Sequence, residues 1–107
     1  MPDDPVDAVF AALADDTRRA VMRHLADGPA TPSQLAGRLP VSRQAVSKHL
    51  EVLRHAGLVA SDRVGREHRY TLTPEPLTDA VSWISTVGSR WDERLAALRR
   101  HLGTRPR

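Results

Sequence analysis

SRQAVSKHLEVLRHAGLV, residues 42–59, contains the start, both faces and the end of one amphipathic helix. Ser42 is a typical N-cap, because its hydroxyl can accept hydrogen bonds from backbone N–H groups of the first turn. Apolar residues recur at steps of four and three and form one stripe that we expect to face the core: Val46, Leu50 and Leu53. Gly57 suits the left-handed position that follows many helices, so the helix is predicted to end by Ala56.

The opposite face of this helix carries the residue types that read DNA. In the major groove, arginine pairs with guanine and glutamine with adenine through two hydrogen bonds each. We therefore predict a DNA-recognition helix, in which Gln44, Ser47 and Lys48 point away from the stripe together with Glu51 and His55, and Arg43 lies on a flank with Arg54. His49 lies at the edge of the apolar stripe, which favours support of the helix or a phosphate contact over base reading. An ordinary solvated helix face is the alternative, and the flanking segments decide between the two.

The composition limits the classes of protein to which the chain can belong. Its 107 residues, 40% of them hydrophobic, suit one compact domain, which we place at 1–107. The sequence has no cysteine, which excludes disulfides, thiolate catalysis and thiolate-bound metals. An acidic N-terminus and the lack of a long apolar run predict a cytoplasmic protein without a membrane partner.

The charge is unevenly distributed along the chain. Five of the thirteen acidic residues fall within residues 1–16, so the remainder is more basic than the formal net charge of +3 indicates. Such a basic body favours a polyanionic partner through neutralisation of phosphates and release of counterions.

Two helices are predicted ahead of the recognition helix. Asp4 followed by Pro5 begins the first, which covers about 5–13. Either Asp15 or Asp16 caps the second, which stops at an Asp-Gly-Pro sequence. We expect three arginines on its exposed side to be solvated: Arg18, Arg19 and Arg23.

A third helix completes a helix-turn-helix. Thr31 and Gln34 form a capping-box pair around a proline in the first turn, which predicts a short helix over about 32–39. A brief turn, Leu39-Pro40-Val41, then leads into the recognition helix. Two helices joined by so short a turn, the second with a polar reading face, are typical of DNA-binding proteins.

Residues 59–72 change to a strand pattern, with β-branched and aromatic residues on both sides of Gly65. This pattern predicts a hairpin with its tip near Gly65. Three arginines cluster around the tip, namely Arg63, Arg66 and Arg69, where a hairpin can lie along phosphates or enter the minor groove. We favour DNA contact, above all for Arg66. A charged hairpin edge that protects against aggregation is the alternative.

The last helix opens at Thr73-Pro74-Glu75-Pro76 and carries a heptad seam. Its seam positions alternate steps of four and three: Leu77, Val81, Ile84, Gly88, Trp91, Leu95, Leu98 and Leu102. So long a seam exceeds what a chain of this size needs for its own core. We therefore predict that part of it meets a second copy in a homodimer. A long helix that packs only within its own chain is the alternative.

In this order of elements, the chain resembles the ArsR (arsenical-resistance repressor) family of dimeric winged-helix transcriptional regulators. Three segments carry the likeness: ALADDTRRAVMRHLADGPATPSQLA at 12–36, VSRQAVSKHLEVLRHAGLV at 41–59 and VGREHRYTL at 64–72. The resemblance implies a mainly α fold with a small β-hairpin, a winged helix-turn-helix of five helices and a two-stranded wing. It places five residues on DNA-contacting positions of the recognition helix, namely Ser42, Arg43, Gln44, Ser47 and Lys48, and it places Arg66 and Arg69 on the wing. It also implies a dimer interface on the first and last helices, for which we name Val6, Val9, Phe10, Ile84, Trp91, Leu95 and Leu98.

The chain departs from the metal-sensing members of that family. Some members carry a Cys-x-Cys type site on the third helix, where this chain has Ser33-Gln34-Leu35-Ala36. Others pair Asp and His ligands across the last helix, where Asp79 is followed by Ala80 and Val81 and the only histidine is His101. The chain is therefore more similar to the metal-independent repressors, and we predict neither a metal site nor a cofactor.

These patterns predict a sequence-specific transcriptional regulator that binds double-stranded DNA as a homodimer. Repression is favoured over activation, because so small a chain has little surface for recruiting polymerase and can act by occupying a promoter. We expect an inverted-repeat operator with half-sites about one helical turn apart. An enzyme is not expected, because the sequence lacks a nucleophile elbow, a phosphate-cradling loop and suitably spaced carboxylates. A helical dimerisation or protein-interaction module without DNA binding is the alternative, and no particular effector is indicated.

Overall fold

The computed structural model describes residues 4–102, which form five helices and one two-stranded sheet. In chain order the elements are α1 (Pro5–Leu13), α2 (Asp16–Ala26), α3 (Pro32–Ala36), α4 (Arg43–His55), β1 (Val59–Val64), β2 (Glu67–Leu72) and α5 (Glu75–His101). The predicted winged helix-turn-helix fold is confirmed. The predicted domain, 1–107, extends beyond the described residues at both ends.

The start and the end of α4 follow the local signals in the sequence. Ser42 caps the helix, and its Oγ accepts from the backbone N–H of Ala45 at 3.1 Å. At the other end, Gly57 has a φ of 77°, and the N–H of Leu58 donates to the carbonyl of Leu53 at 2.9 Å. This is the Schellman arrangement that a left-handed glycine permits. The predicted apolar stripe is fully buried: Val46, Leu50 and Leu53.

The core lies between this stripe and the elements around it. It comprises Val9 and Ala12 of α1, Val21 and Leu25 of α2, Leu35 of α3, Leu58 and Val59 at the start of the wing, and Ala80 of α5. One interface prediction is corrected here, because Val9 is only 1% exposed within its own chain. It shares one face of α1 with Ala12, three residues on, and that face packs inward. Val6 and Phe10 remain partly exposed.

Helix α3 ends at Ala36, three residues earlier than predicted. The N–H of Gly37 donates to the carbonyl of Ser33 at 3.1 Å and closes the last turn. Pro40 then prevents continuation, because proline has no N–H and disfavours the helical conformation of the residue before it. The connection between α3 and α4 is therefore longer than predicted and spans 37–42.

The prediction that Arg18 is solvated is wrong. Arg18 is half-buried, and its Nε donates to the carbonyl of Ala12 at 2.7 Å. Arg19 is exposed, but its Nη1 donates to the carbonyl of Leu13 at 2.7 Å. The last carbonyls of a helix have no partner within the helix and carry partial negative charge, so both guanidinium groups stabilise the C-terminus of α1. Arg23 is exposed, as predicted.

Strands β1 and β2 pair antiparallel from Val59 with Leu72 to Val64 with Glu67. Gly65 and Arg66 therefore form the tip, as predicted, and Gly65 adopts the left-handed φ of 63°. Tyr70 also exchanges two backbone hydrogen bonds with Ala30, at 2.8 and 3.1 Å. These bonds attach the wing to the segment that precedes α3.

Helix α5 has 27 residues, about 40 Å in length, and extends well past the core. It packs on its own chain near its N-terminus, where Ala80 is buried and the ring of Trp83 lies edge-on to that of Phe10, with centroids 5.6 Å apart. Most of the apolar seam beyond this point has no cover within the chain. More than half of each of these side chains is exposed: Val81, Ile84, Trp91, Leu98 and Leu102.

Asp15, and not Asp16, is the N-cap of α2. Its Oδ1 accepts from the backbone N–H of Arg18 at 3.0 Å, and this hydrogen bond is the main reason that the pKa of Asp15 lies below its ordinary value of 3.8. Because the folded state has the lower pKa, the resulting stabilisation is complete above the unfolded-state pKa. It is lost as the pH falls through the folded-state value.

We expect Asp15→Asn to make the free energy of unfolding less dependent on pH below about pH 4. The amide oxygen can still cap the helix, so the variant removes the titrating charge and keeps the cap. Urea unfolding of both proteins between about pH 5 and about pH 2.5 measures the difference. Asp16→Asn is the matched control, since the neighbouring acid does not cap the helix. An unchanged pH dependence in Asp15→Asn would contradict this assignment.

Candidate nucleic-acid interface

The N-terminal half of α4 presents a polar surface that we call the reading face. Its members are all exposed: Ser42, Arg43, Gln44, Ser47 and Lys48. Val46 and Leu50 of the same turns are fully buried and hold the helix against the core. Helical periodicity turns Gln44 and Lys48 away from this buried side and leaves Arg43 at its flank. The five residues predicted to contact DNA are thus exposed together in the N-terminal half of a helix that the core holds from its buried side.

The N-terminus of α4 is suited to an anion. The backbone N–H groups of a first turn have no partner within the helix and carry partial positive charge, which favours phosphate. The first turn of α4 contains no acidic residue. The Ser42 hydroxyl accepts from Ala45, and its own proton remains available for donation. A phosphate at this position would meet hydrogen-bond donors and no opposing carboxylate of the same turn.

The tip of the wing lies beside the reading face. Nη2 of Arg43 is 3.8 Å from Oε1 of Glu67, which is the first residue of β2 and directly follows Arg66. Arg66 and Arg69 are exposed. Nε of Arg63 donates to the carbonyl of Gly65 at 3.2 Å, so Arg63 also supports the turn. The start of β2 and the start of α4 thus lie side by side, and Arg66 directly precedes the residue that joins them.

His49 stands apart from the reading face. Its ring is half-buried, and Nδ1 lies 3.4 Å from Nη1 of Arg18, whose guanidinium also binds the carbonyls of α1. His49 therefore links α4 to the end of α1. Sequence reasoning missed this role of Arg18, because its partner is 31 residues away and no local pattern indicates it.

The basic residues in the C-terminal half of α4 are already paired. Arg54 donates through Nε to Oε2 of Glu51 at 3.2 Å, and Nε2 of His55 lies 3.3 Å from the other carboxylate oxygen. The hydrogen bond from Arg54, with the nearby charges, lowers the pKa of Glu51. The positive charge of α4 that no carboxylate of the same helix pairs therefore lies at Lys48 and at Arg43, which is 3.8 Å from Glu67 of the wing.

Neither a metal site nor a bilayer-spanning helix is found in the part of the chain that the structure describes. Over residues 4–102, the side chains of His, Asp and Glu nowhere gather in a group of three that could hold a metal ion. Over the same residues, every helix is too short or too polar to cross a membrane.

The sequence is similar to several known regulators. Residues 13–62 match the family model of a helix-turn-helix domain. The HTH-type transcriptional regulator Rv2034 of Mycobacterium tuberculosis is 49% identical over 71 residues, which cover 66% of this chain and 66% of that protein. The transcriptional repressor SdpR of Bacillus subtilis is 30% identical over 87 residues, which cover 81% of this chain and 97% of SdpR.

Solved structures extend the similarity to the fold. An ArsR-like transcriptional regulator from Rhodococcus sp. RHA1 superposes with a TM-score of 0.80 at 44% identity, over 90% of this chain and 91% of that chain. The homodimeric winged helix-turn-helix DNA-binding domain of Mb0332 from Mycobacterium bovis superposes with a TM-score of 0.64 at 28% identity, over 86% of this chain and 82% of that one.

Proposed function

Because the chain belongs to the ArsR family of transcriptional regulators, we propose that it is a sequence-specific DNA-binding repressor that acts as a homodimer. The observation that carries this proposal is the exposed reading face at the N-terminus of α4, where Arg43 lies 3.8 Å from Glu67 of the wing. Repression is supported by the similarity to SdpR, which is a transcriptional repressor.

In the proposed complex, α4 enters the major groove with its N-terminus first. Arg43 and Gln44 contact base edges, while Ser42, Ser47 and Lys48 hold the helix on the DNA through phosphates and neighbouring bases. The wing places Arg66 and Arg69 on the adjacent backbone or in the minor groove. His49 supports α4 through Arg18 and lies too close to the core to read a base.

We propose that the dimer interface is formed by the uncovered apolar surfaces of α1 and α5. Its members are Val6, Phe10, Ile84, Trp91, Leu95 and Leu98, and Val9 is excluded because it is buried in its own chain. The exposed seam of α5 supports this assignment, as does the homodimeric state of the similar Mb0332 domain. A two-fold dimer predicts an inverted-repeat operator with half-sites about 34 Å apart, one turn of the double helix.

The remaining parts of the proposal follow from this activity. We place residues 1–107 in one unit, with the terminal helices as its dimerisation surface and the elements between them as its DNA-binding surface. We place the protein in the cytoplasm, because a repressor must reach the DNA and bacterial DNA lies in the cytoplasm. It needs no catalytic group and no cofactor.

Selection of bound fragments from random double-stranded DNA tests the proposal. We expect an inverted repeat to emerge, and gel shifts on that repeat to weaken linearly in a plot of log affinity against log salt. Comparable affinity for the selected repeat and for unrelated DNA would contradict a sequence-specific regulator. The absence of any binding at low salt would favour the alternative, a protein-interaction module.

We predict that zinc, cadmium, copper and arsenite do not release the protein from its operator. Thiophilic ions require thiolates, and the sequence has no cysteine. Zinc needs about four ligands at about 2.0–2.2 Å, whereas the five histidines are spread over α2, α4, β2 and α5.

Titration of metal-free protein with zinc, followed by operator binding, checks this prediction. The one arrangement that remains would join His101 to Asp92 or Glu93 across the dimer. A stoichiometric and saturable loss of DNA affinity that disappears in His101→Ala would therefore contradict the prediction. Unchanged affinity in the presence of one equivalent of zinc is the expected result.

A further inference from the structure

Glu67, at the tip end of β2, joins three elements of the DNA-binding region. Its Oε1 accepts from the Oγ of Ser33 on α3 at 3.1 Å, and it lies 3.8 Å from Nη2 of Arg43 at the start of α4. The carboxylate therefore contacts both helices of the helix-turn-helix from the wing. Sequence reasoning missed Glu67 because Ser33 is 34 residues away.

An acid at this position needs an explanation, because it lies among residues that face a polyanion in the proposed function. A carboxylate there repels phosphate and lowers the affinity for all DNA alike. Specificity is the difference between the affinity for the operator and the affinity for other DNA. A residue that lowers the affinity for all DNA and also contacts a base-reading arginine can therefore increase specificity.

We propose that Glu67 is a positioning residue that orients Arg43 for base reading, and this inference rests on the proposed function. Arg43 has a long side chain that is 64% exposed, and ordering such a chain on binding costs conformational entropy. The hydrogen bond from Ser33 holds the carboxylate in place, and the carboxylate, 3.8 Å from Nη2, attracts the guanidinium toward the wing. Nη2 of Arg43 is 3.8 Å from Glu67, which is too long for a hydrogen bond, so the N–H donors of the guanidinium remain available to face guanine.

The test is the Glu67→Gln variant, measured on the selected operator, on operators changed at single base pairs and on unrelated DNA. The amide keeps the size of the side chain and an oxygen that can accept from Ser33, but it loses the charge that holds Arg43. We expect the affinity for unrelated DNA to rise. We expect the ratio of specific to non-specific affinity to fall by roughly three- to tenfold, mainly at the base pair that Arg43 reads.

Asp62→Asn is the matched control. Asp62 lies on β1 of the same wing, opposite Arg69 in the strand register, and the substitution removes the same charge. It should raise affinity for all DNA and leave the preference at the Arg43 base pair unchanged. A weaker version of the Glu67→Gln effect is expected in Ser33→Ala, because the carboxylate then loses the hydrogen bond that fixes it.

A double-mutant cycle with Arg43→Ala separates the possible roles. If Glu67 acts through Arg43, Glu67→Gln causes no further loss of specificity in the Arg43→Ala background. A loss that persists in that background would mean that Glu67 itself accepts a hydrogen bond, for example from cytosine, and would overturn the positioning role. Unchanged specificity in Glu67→Gln alone would overturn only this inference. A wild-type protein without any sequence preference would overturn the proposed function and this inference together.

Discussion

Replacing Trp91 with glutamate is expected to convert the homodimer to monomers and to lower operator affinity by at least about 100-fold. Trp91 is 60% exposed within one chain, so its replacement removes little from the protomer's own core. In the proposed dimer the same side chain is covered by the partner, and a carboxylate there would lose its hydration within an apolar seam. Affinity falls with dissociation because a monomer holds one half-site, whereas two linked reading faces bind both halves of the operator together.

Sedimentation velocity and gel shifts on the same preparations measure the two effects. Ser89→Glu is the matched control, because it adds the same charge to the same helix about 200° around the axis from Trp91. We expect it to stay dimeric and to bind the operator. A monomeric Trp91→Glu variant that retained full affinity would contradict the proposal that DNA binding depends on the dimer.

The parts of the fold that could be predicted from sequence are those set by neighbouring residues. The limits of α4 follow from Ser42 at one end and Gly57 at the other, with the apolar stripe between them at regular helical steps. The tip of the wing follows in the same way from Gly65. In each case the residues that determine the local structure are close together in the sequence or follow one regular helical spacing. The sequence alone is therefore sufficient to predict these parts of the fold.

The parts that could not be predicted depend on which surfaces meet in the folded chain. The apolar residues of α1 are alike in type, and only its packing against other elements decides that Val9 is buried while Val6 and Phe10 stay partly exposed. Arg18 was expected to be solvated because arginines usually are. Instead it lies against the C-terminus of α1, where backbone carbonyls such as that of Ala12 have no partner within the helix and accept from its guanidinium. Contacts of this kind leave no periodic pattern.

The candidate site shows the same division. The exposure of Gln44, Ser47 and Lys48 could be derived from the buried stripe, because helical periodicity turns these residues away from the core. The pairing of Arg43 with Glu67 could not, because it depends on where the wing folds back against α4. Local periodicity thus predicts which residues are available for DNA. The tertiary structure determines how their side chains are held.

The reading face and the wing are expected to respond differently to the loss of one side chain. Gln44→Ala and Arg43→Ala should each lower affinity for the operator by about 1–3 kcal/mol and relax the preference at particular base pairs, because each removes two hydrogen bonds to a base edge. Arg66→Ala should weaken binding to all sequences more evenly. It should also reduce the magnitude of the salt slope by about one unit, because one phosphate contact is lost.

Competition gel shifts at several salt concentrations, with operators changed at single base pairs, distinguish these responses. Arg23→Ala is the control for loss of an arginine, since Arg23 is exposed on α2 and lies outside the reading face and the wing. An equal loss of affinity for every DNA sequence in all three variants would contradict the proposed docking. The reading face would then contact only the charge of the phosphates and no base edges. Base-pair preferences that change in Gln44→Ala and Arg43→Ala but stay fixed in Arg66→Ala would place the N-terminus of α4 in the major groove and the wing on the backbone.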